Sequence, residues 1–126
     1  MLNARLDRTI YGRLYNRAIF DEAAFAIFLI VDLDAIFLMY GPNSVHLATL
    51  DSGYMSQLLT TTAIEHRIGL CPIGSLNFTP VRHLFSLKEG QILLHSLLGG
   101  GISFEENNAK LFFSSDRFEN IEEGEI

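Results

Sequence analysis

Residues 69–75 of the 126-residue chain read Gly-Leu-Cys-Pro-Ile-Gly-Ser. They gather its only cysteine, one of its three prolines and two of its ten glycines. Glycine lets a backbone approach another group closely, and proline fixes φ and with it the turn. The composition predicts a loop whose backbone lies flat against a ligand. The plainer alternative is an ordinary loop leading into a short strand, with Cys71 a small buried hydrophobe. Cys71 is not expected to act as a nucleophile, because no His or cation adjoins it in sequence to stabilise a thiolate. The second candidate is Tyr40, which stands just before Gly41-Pro42-Asn43. A phenol titrates near pH ~10 and is a poor base at neutral pH unless a cation lowers it. Its hydroxyl can orient a substrate; the alternative is a tyrosine that closes a strand with its hydroxyl in water. His46, His66, His83 and His95 are scattered, so no metal site is expected. Zinc spacings, a P-loop, GxSxG and a dinucleotide fingerprint do not occur.

Around these residues the sequence predicts an α+β chain. The run AAFAIFLIVDL, residues 23–33, is apolar and bounded by acids. It predicts a strand over roughly 25–33, buried on both faces, with a buried helix turn as the competing reading. Gly41-Pro42-Asn43 breaks whatever element ends at Tyr40. Residues 47–68 predict a helix. Leu47, Leu50, Tyr54, Leu58 and Ile64, with Met55, Leu59 and Ala63, form one apolar stripe at spacings of three and four. Gly53 inside that helix costs about 1 kcal/mol relative to alanine, which implies close approach by a helix or a ring. Gln57 lies one turn further on the same side. Gly69 is a plausible helix stop. Thr79-Pro80 predicts an N-cap and first turn of a helix reaching Leu87, and Glu89-Gly90 a turn. Residues 91–100 read as a second buried strand. The order strand, helix, loop, helix, strand predicts helices on a sheet. Residues 1–19 lack periodicity, although Arg5, Arg8, Arg13 and Arg17 are spaced to line one helical face. Phe104, Phe112, Phe113 and Phe118 suggest an edge strand or an arm on a partner.

Composition sets the class. Hydrophobic residues make up 48% and mean hydropathy is +0.24, so a filled core or partner-facing surface is expected. The longest apolar run, residues 23–31, is far short of the ~20 residues that span a bilayer. The arginine-bearing first residues do not resemble a secretory signal. A single cysteine fits a reducing compartment, and a cytoplasmic, membrane-free protein is expected. Residues 1–103 carry seven basic and eight acidic groups, and residues 104–126 carry two and seven. The net charge of −6 therefore sits in the tail, and nothing resembles a nucleic-acid surface. The tail is expected to be solvated.

Three stretches together carry a resemblance. They are Leu50-Asp51-Ser52-Gly53-Tyr54 with Gln57, then Ile68-Gly69-Leu70-Cys71-Pro72-Ile73-Gly74, then Leu93 to Gly100. The chain over roughly residues 10–103 resembles the C-terminal half of the flavin-dependent nitroreductase superfamily. Within it, the chain is most similar to the SagB/ThcOx-type dehydrogenases and oxidases, including the oxidase domains of nonribosomal peptide synthetases. The resemblance implies a nitroreductase-like fold with helices on a mixed sheet, a partial domain over 1–103 and an acidic tail over 104–126. It implies FMN as cofactor, held by Gly53, Gln57, Cys71, Pro72, Ile73 and Gly74, and oxidation of azolines to azoles. Relatives carry a Lys-Tyr pair for proton abstraction; here it reads Met39-Tyr40, which leaves Tyr40 as the catalytic candidate. The resemblance further implies a homodimer with FMN at the interface, or a complementing N-terminal half-domain, and a peptide-synthetase carrier domain as a further partner. The phosphate-clamping arginines of relatives lie in that N-terminal half, and a Lys or Arg usual after the last strand is replaced here by acidic sequence. Arg5, Arg8, Arg13 or Arg17 are the available substitutes. Two other readings stay open: a catalytically incomplete remnant or subunit acting in dimerisation or docking, and a small non-enzymatic interaction domain.

Overall fold

The structure is a computed structural model and describes residues 4–103. Its elements are α1 (Asn16–Glu22), β1 (Phe25–Asp32), α2 (Leu33–Tyr40), α3 (Ser44–Glu65), β2 (Ile68–Ile73) and β3 (Gln91–Gly101). Short 3₁₀ turns cover Arg8–Ile10, Gly41–Asn43 and Thr79–Phe85. The three strands pair in the order β1-β3-β2. Both pairings are antiparallel, where a mixed sheet was expected. Phe28, Ser96 and Ile73 share one transverse row, and the register shifts between Leu29 and Ile30 as a bulge.

β3 is central because its side chains are apolar on both faces. Leu98 points to one side, where Ile10, Tyr11, Ile73 and Val81 form a buried core. Phe28, Phe78 and Phe85 extend it as a ring cluster, with centroids 5.0–5.7 Å apart. Leu97 alternates to the other side, where α3 lies, and is fully buried.

The helix α3 turns most of its apolar stripe away from the sheet, with only Leu47, Leu59 and Ala63 of it half-buried. Its buried residues are Ser44, Ala48, Ser52 and Ser56, one row at a spacing of four. Small side chains let the helix approach the large residues of the sheet. The buried Ser44 and Ser52 hydroxyls donate to the Gly41 and Thr49 carbonyls at 2.6 and 2.7 Å, so their burial leaves no orphan. Leu50, Tyr54, Met55, Leu58 and Ile64 are exposed instead, Tyr54 at 75% and Leu58 at 67%. The exposed Phe37, Leu38 and Met39 of α2 add a second apolar surface.

Further expectations are corrected. Residues 69–73 lie in β2, an edge strand, and only Gly74 and Ser75 of the seven-residue run leave it. An edge tolerates Pro72, which has no N–H to donate. Helix α3 ends at Glu65, and Arg67, at φ +56°, takes the left-handed turn that Gly69 was expected to make. Thr79-Pro80 opens a 3₁₀ turn whose N-cap is Phe78, without a side-chain cap. Residues 33–40, unassigned from sequence, form α2, because the Asp32 carboxylate accepts from Ala35 N at 3.3 Å and caps its start. The four N-terminal arginines do not share a helix, since Arg8 lies in a 3₁₀ turn and Arg17 in α1. The phenylalanine-rich tail falls outside the described residues. Among the described residues no helix is long and apolar enough to cross a membrane.

Candidate functional site

β2 carries the cysteine inward. Cys71 and Ile73 pack on the core that holds Tyr11 and Val81, while Pro72 is exposed. Burial pushes the Cys71 thiol up from its ordinary value, the opposite of what a nucleophile needs. Gly74 follows on the surface. A Cβ placed on Gly74 meets nothing within 4 Å, and the backbone there is not left-handed. The same holds for Gly53 on α3, so the helix or ring expected against it is absent from the described residues. Gly99 differs: its Cβ would fall 2.5 Å from Phe25 Cζ and 2.6 Å from Leu70 Cδ2, so a side chain there demands that both neighbours shift. Nothing among the described residues makes that demand at Gly53 or Gly74, and the space beside them is open to an outside group.

The N-terminal segment, silent in the sequence pattern, is fastened to this turn. Tyr11 bridges Leu76, Asn77 N donates to Ile10 O at 2.8 Å, and Asn16 Nδ2 donates to Ser75 O at 3.0 Å. Arg17 Nε donates to Tyr11 O at 2.9 Å. Residues 12–15 therefore form a surface turn beside Gly74 and Ser75, with Arg13, Leu14 and Tyr15 exposed. Arg8 is occupied elsewhere: it holds Asp21 through bonds of 2.7 and 2.8 Å, and this guanidinium keeps the Asp21 carboxyl below its ordinary value.

Tyr40 lies apart from that turn. It ends α2 rather than a strand and lines a cavity of about 430 Å³ between β1, α2 and α3. Leu29, Val31, Ile36 and Met55 supply apolar wall, and Asp51 a carboxylate that sequence reasoning had treated only as part of a motif. Ser52 also lines it, but its hydroxyl is spent on Thr49 O. The structure thus puts Tyr40 with Asp51 at the β1 side and Gly74 at the β2 edge, with β3 between them. Gly53 and Gln57 are exposed one turn apart on α3 and do not line that cavity. Among the described residues no three His, Cys, Asp or Glu side chains gather as a metal site.

An antiparallel sheet carrying a long helix on one face and short helices on the other, with an open glycine turn after an edge strand, defines an α+β domain. The chain belongs to the nitroreductase family, whose model matches residues 3–100. Membership assigns flavin-linked oxidoreductase chemistry at the level of the family. No curated protein matches the chain.

Proposed function

We propose that the chain is an FMN-dependent oxidoreductase of the SagB/ThcOx type that oxidises azolines to azoles in peptide natural-product assembly. The observation that carries the reading is Gly74: exposed, open on its Cβ side and required by nothing among the described residues. A backbone of this kind can rest against a flat ring edge, and the Gly74 and Ser75 amides are donors that need no side-chain ordering. The flavin, when bound, supplies the two-electron acceptor that azoline oxidation requires. Gly53 and Gln57 would approach it from α3. Cys71, Pro72 and Ile73 act through the strand that presents Gly74, with Cys71 and Ile73 anchored in the core. Tyr40, which lines the cavity with Asp51, would orient the substrate through its hydroxyl.

The exposed apolar side chains of α2 and α3 support a homodimer or a complementing N-terminal half-domain covering that surface. A carrier domain presenting the substrate fits the same reading, and neither nucleic acid nor membrane is part of it. The separation of Tyr40 from Gly74 favours a second reading, a subunit acting only in dimerisation or docking. Gly74→Val separates the two. In the flavin reading it abolishes FMN binding and leaves the circular dichroism and Tm unchanged; equal FMN affinity in both proteins removes the assignment of the turn.

A further inference from the structure

α3 places Asp51 one residue before the buried Ser52, at the edge of its row of small residues. Its carboxylate is exposed and makes no hydrogen bond or ion pair among the described residues. Asp7, Asp21 and Asp32 differ, because each has a task in the fold. Asp7 accepts from Thr9 N at 2.8 Å, and Asp21 holds Arg8. Asp32 accepts from Ala35 N at 3.3 Å and from Gln91 Nε2 at 3.0 Å. Of the acids that remain among the described residues, Asp51 alone lines the cavity between β1, α2 and α3.

That cavity holds about 430 Å³, inside the ~300 to ~1,000 Å³ of small-molecule sites. Leu29, Val31, Ile36 and Met55 give it an apolar wall. Among the described residues no Lys, Arg or His lines it, so nothing there neutralises the carboxylate. The other polar groups also suit a cation. Ser52 donates its hydroxyl hydrogen to Thr49 O at 2.7 Å and has only lone pairs left to offer. Tyr40 brings a ring, whose face attracts a cation, and a hydroxyl oxygen that can accept. α2 ends at Tyr40, so the negative end of its dipole borders the same space. A carboxylate, a ring, acceptor oxygens and apolar wall are the elements that a compact apolar amine calls for. An anion would meet repulsion there, and a neutral molecule would leave the carboxylate without a counter-ion.

We infer that this cavity binds a compact apolar molecule carrying a protonated amine, with Asp51 as its counter-ion. The inference stands on the cavity and not on the flavin reading, so FMN can fail to bind at Gly74 without touching it. The full chain, free of flavin, is titrated with three probes of similar shape: 2-phenylethylamine, 2-phenylethanol and 3-phenylpropionate. Binding is read by heteronuclear NMR, which also locates the probe. The amine should bind at least about tenfold tighter than the alcohol, as a charge-assisted bond allows, and should shift the signals of Ile36, Tyr40 and Met55. The propionate should bind no more tightly than the alcohol. Asp51→Asn should bring amine and alcohol within about twofold and leave Tm unchanged, since the carboxylate makes no bond among the described residues. Glu65→Gln, at the far end of α3 and roughly 20 Å away, should keep the preference for the amine. Equal affinity for amine and alcohol, a preference that survives in Asp51→Asn, or shifts that fall outside the cavity overturn the inference. So does failure of all three probes to bind.

Discussion

The two faces of the sheet are finished differently. On one, Leu98, Ile73, Val81, Ile10 and Tyr11 close a core in which every large side chain has neighbours. On the other, α3 covers Leu97 with a row of serines and an alanine, and turns Leu50, Tyr54 and Leu58 outward. A helix that spends its small side on its own sheet and its large side on the surroundings fits the partner proposed above. The glycines divide in the same way. Gly99 is hemmed in by Phe25 and Leu70, whereas no described residue stands against Gly53 or Gly74. Residues that the described fold does not need are where function is to be sought.

Substitutions on the two faces test the contrast. Leu98→Ala, in the closed core, should cost about 2–5 kcal/mol in chemical denaturation. Leu58→Ala, on the open face, should change unfolding of the single chain by less than about 0.5 kcal/mol and weaken self-association in sedimentation. A large unfolding cost at Leu58 without any change in association would erase the distinction. Among the glycines, Gly99→Val should unfold or strongly destabilise the chain, while Gly74→Val keeps Tm and loses FMN.

Tyr40→Phe sharpens the division within the candidate site. It should lower turnover about tenfold or more without changing FMN affinity, because Tyr40 lines the cavity and stands apart from the glycine turn. Normal turnover would leave Tyr40 a mere wall of the cavity. A smaller effect is expected at Tyr11, whose hydroxyl is buried without a partner. Tyr11→Phe should raise stability by about 1 kcal/mol, read as a higher Tm. A lower Tm would mean that the hydroxyl is satisfied.

The smallest effect concerns acid. The Arg8 bonds hold the Asp21 carboxyl below its ordinary 3.8, so the stabilisation is present above that value and fades as pH falls through the depressed one. Asp21→Asn should remove a slight part of the loss of Tm between about pH 5 and about pH 3, slight because the pair is exposed.

Much of this was legible in the sequence. β1 and β3 are long apolar runs with clear breakers, and α3 shows apolar residues at spacings of three and four from Leu47 to Ile64. Periodicity locates an apolar stripe, however, and does not say which body covers it; the row Ser44-Ala48-Ser52-Ser56 held the answer in side-chain size. β2 was read as a loop because glycine and proline weaken a strand signal, and its stability comes from pairing with β3, a distant segment. The run before Tyr40 is too short to tell helix from strand by pattern. The N-terminal turn was illegible because its bonds to Ser75 and Asn77 span about sixty residues. Asp51 could have been found, since it lies on α3 on the turn that follows Ala48, toward the side of Met55.

The most direct test is an FMN titration of the full chain, followed by visible absorbance with the native mass recorded alongside. The account predicts a yellow protein that holds FMN at saturation and sediments as a dimer. A colourless monomer at saturating FMN would contradict it.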